Sequence, residues 1–240
     1  MRPSRAMVMA AGLGTRMRPL TDDRPKALVE VNGRALLDWT LDALARAGVS
    51  DAVVNIHHFA ERMRAHLAAR EGAPRIHVSD ETDQLLETGG GLVKAAPLLG
   101  GDPVFVANID AFWVDEKGAE LARLADGFDA GTMDFRLLLA RKGNLLGLEG
   151  PGDFAMDAQG RLQRFRDAPA GAEPLFYAGV QVMHPRVLEG WPCEPFSTNR
   201  IWDVALAQGR VTGQVMDAFW MHVGDPQTHR EVENRLRSQA

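Results

Sequence analysis

The first half of the chain alternates short apolar runs with segments whose apolar residues recur every three or four positions. Ala6–Ala10, Ala52–Ile56, Arg75–Val78 and Val104–Ala107 read as strands buried on both faces. Between them, Ala35–Ala47 and Phe59–Arg70 carry apolar residues at helical spacing. In the first of these Leu36, Leu37, Leu41, Leu44 and Ala45 share a face, and Gly48 supplies a C-terminal stop. Strand–helix–strand alternation predicts βαβ units, with helices on both faces of a parallel sheet.

The second half is less regular. Phe135–Ala140, Gly152–Met156, Arg161–Phe165 and Tyr177–Met183 read as strands, some antiparallel, and Asn199–Gln208 and Gln227–Arg237 as helices. Gly143–Gly152 and Asp167–Pro174 are glycine- or proline-rich loops, candidates for a mobile wall over a ligand. No repeat, low-complexity tract or linker interrupts the 240 residues. The expected architecture is therefore one α/β domain, a Rossmann-like three-layer sandwich with a mostly parallel, mixed central sheet. Such sheets bind ligands beyond the carboxyl ends of their strands.

Composition changes this picture little. A net charge of −5 gives no support to nucleic-acid binding. No apolar run approaches the ~20 residues that span a bilayer, so no membrane role is expected. The early apolar run passes straight into a glycine-rich turn, which argues against a signal peptide. A lone Cys193 excludes an internal disulfide and a cysteine zinc cluster, and the whole points to the cytoplasm. Phe219, Trp220 and the closing helix offer apolar surface, leaving monomer and homodimer both open.

Candidate chemistry is concentrated in Ala10–Leu28, AAGLGTRMRPLTDDRPKAL. Glycines let backbone N–H groups approach a phosphate closely, and Arg16 and Lys26 add full positive charges beside them. This is not a Walker loop, because Gly14 is followed by Thr15-Arg16 rather than Lys-Ser/Thr. It is not the dinucleotide fingerprint either, since Met17 stands where the third glycine belongs. The combination suits a nucleoside triphosphate held while one P–O bond is exchanged. A carboxylate candidate, Asp110, ends the strand-like run from Val104 and so reaches the same sheet edge as the loop.

The segment Gly12–Leu28 matches the pattern G-x-G-T-R-x-R-P-L-T-x-x-x-P-K-x-L and resembles the sugar-1-phosphate nucleotidyltransferases. With gaps, the resemblance continues through Asn108–Asp110 to Trp220–Gly224, which is most of the chain. It implies transfer of a nucleotidyl group from a nucleoside triphosphate to a sugar 1-phosphate with release of pyrophosphate. It also implies a nucleotide-binding half at about 1–110 and a sugar-binding half at about 111–240. Arg16, Lys26 and Asp110 become the catalytic candidates, with Arg16 on the β/γ phosphates and Lys26 on the reacting groups. Ala11, Gly12, Gly14, Thr15, Arg16, Glu81, Thr88, Gly89 and Gly90 become nucleotide-binding candidates. The glycines of Glu87-Thr88-Gly89-Gly90-Gly91 are expected to let backbone approach the base or ribose, with Glu81 supporting that pocket. For the sugar, Asn108, Gly152, Asp153, Glu173 and Gly179 are the candidates.

Mg²⁺ is the implied cofactor, with Asp110 as a ligand. The sequence departs from the family pattern at two places beside it. Ile109 replaces a glycine, and His222 in Trp220-Met221-His222-Val223-Gly224 replaces the second carboxylate. Three arrangements stay open: His222 ligates a softer ion such as Mn²⁺, the metal rests on Asp110 with water and phosphates, or Asp217 or Asp225 substitutes. His57-His58 lacks a third ligand at sensible spacing and reads as structural.

The Leu86–Gly91 form L-E-T-G-G-G resembles uridylyltransferases that act on N-acetylmuramate 1-phosphate in cell-wall recycling. UTP and that sugar phosphate are the favoured pair. Guanylyl transfer to mannose or heptose 1-phosphate, cytidylyl transfer to phosphocholine, and a module that binds sugar nucleotides without turnover remain as alternatives. The chain stops before a hexapeptide-repeat domain could begin, so no acetyltransferase activity is expected.

Overall fold

The computed structural model describes residues 2–115 and 119–239. Its first half follows the hydrophobic pattern closely. Strands β1 (Arg5–Met9), β2 (Asp51–Ile56), β3 (Arg75–Asp80) and β4 (Val104–Asn108) alternate with helices α1 (Leu36–Arg46), α2 (Ala60–Ala69) and α3 (Glu87–Leu99). β1 pairs in parallel with β4 on one side and β2 on the other, and β2 pairs in parallel with β3. Glycine-rich backbone after β1 and Asp110 after β4 are therefore neighbours at one sheet edge.

β5 (Ala111–Trp113), helix α4 (Ala119–Asp126), β6 (Phe135–Arg141), β7 (Phe154–Met156), β8 (Leu162–Arg164) and β9 (Leu175–Met183) follow. The chain ends with α5 (Asn199–Ala207), β10 (Val211–Val215), β11 (Trp220–His222) and α6 (Pro226–Gln239). β9 is the seam. It runs antiparallel to β4, to β6 and to β7, while β10 adds in parallel to β6. β5 and β11 form a small separate sheet, with Trp220 opposite Trp113 and His222 opposite Ala111.

Period-two alternation sends successive strand residues into two cores. Val8, Val54 and Phe105 pack with Leu36 and Leu41 of α1, Leu124 of α4 and Val232 of α6. Met7, Val53 and Val106 face the other way, onto Leu92 of α3 and Ile201 and Trp202 of α5. Three layers result because the strands of the first half are apolar on both faces, and each fully buried aliphatic side chain stabilises by about 2 kcal/mol.

β10, whose sequence is Val-Thr-Gly-Gln-Val, lacks a strand pattern of its own. Pairing with β6 makes it a strand, and a Cβ on Gly213 would come within 2.6 Å of Leu139 Cδ1. α4 is likewise set by tertiary contact, since only Leu121 and Leu124 with Ala125 supply its apolar face beside buried Glu120.

Candidate active site

The loop after β1 owes its shape to Gly14. Its φ of +66° is left-handed, and a Cβ there would lie 3.0 Å from Lys26 Cβ and 3.1 Å from Thr21 Cγ2. Thr21 Oγ1 donates to the Gly14 carbonyl at 2.9 Å, closing the loop onto the segment that carries Lys26. Lys26, opening a short 3₁₀ turn after Pro25, then donates from Nζ to Asp110 Oδ2 at 2.7 Å. From the other side His222 Nε2 lies 3.4 Å from the same oxygen, while its Nδ1 lies 3.2 Å from the Gly147 carbonyl.

Burial pushes the Asp110 carboxyl up, but the His222 hydrogen bond and the Lys26 charge outweigh it and hold it well below the ordinary carboxylate range. Asp110 is thus a carboxylate near neutral pH. Burial, helped by the Asp110 charge, pushes the Tyr177 phenol up, so that group stays neutral.

Two cavities meet at Asp110. The smaller, about 240 Å³, is lined by Ala11, Gly12, Lys26, Asn55, Glu87 and Ile109 among others. The larger, about 380 Å³, includes Asp153, Arg164, Tyr177, Gly179, Trp202 and His222. Thr88, Asn108 and Asp110 line both. Around the smaller cavity, the N–H groups of Gly12, Leu13 and Gly14 make no hydrogen bond among the described residues, which leaves them for an anion. Arg16 is exposed beside them and has no ion-pair partner among the described residues.

Several expected residues stand elsewhere. Gly89 and Gly90 lie inside α3, not at a ligand surface. Their N–H groups both donate to the Phe196 carbonyl, at 2.7 and 3.3 Å. A Cβ on Gly89 would sit 2.4 Å from the Phe196 ring, and one on Gly90 only 2.1 Å from the Glu194 carbonyl oxygen. These glycines admit the 194–196 loop against the helix, while Glu87 and Thr88 face the cavity. Glu87 takes the left-handed φ of +55°, uncommon for a residue with a side chain.

Glu81 is fully buried behind the smaller cavity. It accepts from Asn55 Nδ2 at 2.8 Å and from the Leu86 N–H at 3.2 Å, and Asn55 Oδ1 accepts from the N–H groups of Ala10 and Ala11 at 2.6 and 3.2 Å. This strut ties the start of the glycine-rich loop to the start of α3, so Glu81 supports the pocket without lining it. The Ala11 N–H is also committed to Asn55. Asn55 is a residue the sequence reading missed; a lone asparagine within an apolar strand was its only signal.

On the larger cavity, Asp153 lines the wall and its Oδ2 accepts from the Tyr177 N–H at 2.9 Å. Gly152 does not line it, and Glu173 is turned outward, accepting from Arg141 Nε at 2.8 Å with its side chain 55% exposed. Trp202 Nε1 donates to the buried Gln181 at 2.9 Å and fixes α5 over the floor. His57 is structural, its Nδ1 2.7 Å from the Glu81 carbonyl.

The candidate metal ligands can be tested on their chemistry. Asp225 caps α6, accepting from the N–H groups of Gln227 and Thr228, and Asp217 is bound to Arg123. Neither joins Asp110. No group of three or more His, Cys, Asp or Glu that could hold a metal ion occurs among the described residues. Asp110 Oδ1 carries no hydrogen bond among them, beside the His222 imidazole. One carboxylate oxygen with one imidazole fits a divalent ion completed by water and substrate phosphates, and does not fit a dedicated protein cage.

Residues 6–136 match the family model of the MobA-like NTP transferase domain. The chain is 52% identical over 237 residues to N-acetylmuramate alpha-1-phosphate uridylyltransferase of Caulobacter vibrioides, covering 98% of this chain and 97% of that protein. It is 31% identical to the protein of the same name from Neisseria meningitidis serogroup B, covering 92% and 93%. Among solved structures it resembles a UDP-glucose pyrophosphorylase complexed with UDP-glucose, with a TM-score of 0.80 at 13% identity, covering 99% of this chain and 100% of that one. It also resembles the inositol-1-phosphate CTP transferase from T. maritima, with a TM-score of 0.74 at 18% identity, covering 99% and 97%. The Rossmann-like sheet, the glycine-rich loop closed on Lys26 and Asp110, and near-complete alignment with these relatives agree: the chain belongs to the MobA-like NTP transferase family and to the sugar-1-phosphate nucleotidyltransferases, enzymes that transfer a nucleotidyl group to a sugar 1-phosphate.

Proposed function

We propose that the enzyme transfers a uridylyl group from UTP to N-acetylmuramate α-1-phosphate, forming UDP-N-acetylmuramate and pyrophosphate. The observation that carries this reading is 52% identity over 237 residues, nearly the whole chain, to a protein named for that reaction. Relatives named as mannose-1-phosphate guanylyltransferases reach 26–29% identity, and the chain spans about 61% of their length.

In this reading the smaller cavity takes the nucleotide and the larger takes the sugar, with residues up to about 110 serving the first and the remainder largely the second. An oxygen of the sugar phosphate, anionic near neutral pH, attacks the α-phosphorus in line, and the bond to the pyrophosphate oxygen breaks. No base is required, so the protein's task is positioning and charge neutralisation. The free N–H groups of Gly12–Gly14 cradle phosphate oxygens. Arg16 grips the β and γ phosphates, and Lys26 meets charge that builds during transfer. Asn108 and Thr88, on both cavities, align the two substrates, and Gly179 and Asp153 shape the sugar side. A divalent cation, Mg²⁺ or Mn²⁺, held by Asp110 and His222 would supply charge neutralisation at the reacting phosphates. His222 favours Mn²⁺; equal Mg²⁺ activation of the wild type and His222→Asp would overturn that preference. A nucleoside triphosphate substrate assigns the reaction to the cytoplasm, and no helix among the described residues is long and apolar enough to cross a membrane.

Pyrophosphate release with each nucleoside triphosphate and a panel of sugar 1-phosphates, in Mg²⁺ and then Mn²⁺, tests the reading. Fastest release is expected with UTP and N-acetylmuramate α-1-phosphate. Faster release with another pair would replace the substrate. Nucleotide binding without release from any pair would favour a non-catalytic module.

A further inference from the structure

Arg164 is a cation that the nucleotide side does not use. Among the described residues it is the one lysine or arginine lining the larger cavity, whose other charged walls are Asp110, Asp153 and the titratable His222. Its guanidinium lies 5.1 Å from the Phe154 ring centre and 5.7 Å from that of Trp202. Nε and Nη2 both donate to Asp203 Oδ1, at 2.9 and 2.7 Å, and Nη2 reaches the Asn199 carbonyl at 3.3 Å. Nη1 has no hydrogen-bond partner among the described residues.

This is more than a surface ion pair. The Arg164 side chain is only 16% exposed, whereas Asp203 is 53% exposed, so water screens the acid while the guanidinium is held out of water with Nη1 lacking an acceptor among the described residues. Two aromatic rings and three hydrogen bonds have already fixed its rotamer, so little further ordering is lost when it takes up a ligand. Its free Nη1 keeps charged N–H donors for a carboxylate. The sugar's phosphate, at the junction of the cavities, meets Lys26, which lines the other cavity beside Asp110. What remains for Arg164 is a second anionic group on the sugar.

We propose that Arg164 determines specificity by binding a carboxylate carried on the sugar ring. On the N-acetylmuramate reading, on which this inference rests, that group is the lactyl carboxylate on the 3-oxygen. An N-acetylhexosamine phosphate without that carboxylate would leave Arg164 Nη1 without an acceptor, so the residue separates the acidic sugar from the parent that lacks the acid.

The test compares kcat/KM for pyrophosphate release with UTP and two acceptors: N-acetylmuramate α-1-phosphate and the same compound with its lactyl carboxyl converted to the amide. Wild type should prefer the acid by about 30-fold, the scale of a charged hydrogen bond. Arg164→Gln should bring that ratio close to one, mainly through KM, and Arg164→Lys should keep part of it. The ratio is internal to each variant, so a general loss of folding does not change it. Equal use of acid and amide by wild type, or an undiminished ratio in Arg164→Gln, would overturn the role of Arg164 alone. Turnover of other sugar phosphates but not of the muramate phosphate by wild type would overturn the substrate reading and this inference with it.

Discussion

The two walls that meet at Asp110 are made of different material. The wall of the smaller cavity starts from the loop between parallel strands, where the N–H groups of Gly12, Leu13 and Gly14 make no hydrogen bond among the described residues, and is braced from behind by Asn55 and Glu81. The opposite wall is side chains, drawn from strands and a helix between Asp153 and His222 and assembled by antiparallel pairing around β9. A phosphate presents the same tetrahedral anion in every substrate, so one contiguous backbone geometry can bind it. A sugar differs from its relatives by single substituents, and those are distinguished by individual side chains on a scaffold that can vary.

If the division is sound, breaking the shared point should cost most. Lys26→Ala should lower kcat for pyrophosphate release by about 100- to 1,000-fold, with nucleotide affinity falling less, because its charge is met most strongly in the transition state. A rate within a few fold of wild type would remove Lys26 from the chemistry.

Next in size is the glycine run of α3, which separates a packing role from a ligand-binding one. Gly90→Ala forces a Cβ against the Glu194 carbonyl and should cost about 1–3 kcal/mol, lowering Tm by roughly 3–10 °C. An unchanged Tm with lost nucleotide binding would return that glycine to the ligand surface.

Arg16→Ala should weaken triphosphate binding by about tenfold, since the side chain adds one charged contact to a backbone cradle. Equal affinity in a titration of the wild type and variant would show that the cradle suffices.

The smallest effect lies far from either cavity. Burial pushes the Asp134 carboxyl up, but hydrogen bonds from Arg210 and Arg186 outweigh it and hold it below its ordinary value. A depressed folded value means that this stabilisation is present above the unfolded pKa near 4 and is lost as pH falls through the folded one. Asp134→Asn should therefore lower Tm modestly at pH 6, by about 1 kcal/mol in stability, and the difference should shrink toward pH 3. A gap that stays constant with pH would assign the effect to packing instead.

How much of this was readable beforehand depends on the kind of contact involved. α1 and β1–β4 follow directly from residues such as Leu37, Leu41 and Val54, because burial on a known face imposes a period on the sequence. β10 was unreadable, since Thr212, Gly213 and Gln214 gain strand geometry only from β6. The Gly12–Leu28 motif stood out because a glycine-rich turn and its flanking cations are contiguous. The reading of Gly89 and Gly90 went astray for a related reason. A glycine permits any close approach, and nothing local distinguishes a nucleotide from the Glu194 carbonyl. Glu173 misled in the same way, as a carboxylate whose direction was set by Arg141.

By itself, the sequence determined the layered α/β fold and the meeting of the Gly12–Leu28 loop with Asp110 at one sheet edge. Each depends on short-range pattern or on the fixed geometry of parallel strands. Only the tertiary structure decided that His222 shares an oxygen with Lys26, that Asn55 and Glu81 brace the loop, and that Arg164 faces the larger cavity. Those are meetings of residues far apart in the chain, and the direction in which a side chain points is set by what packs around it.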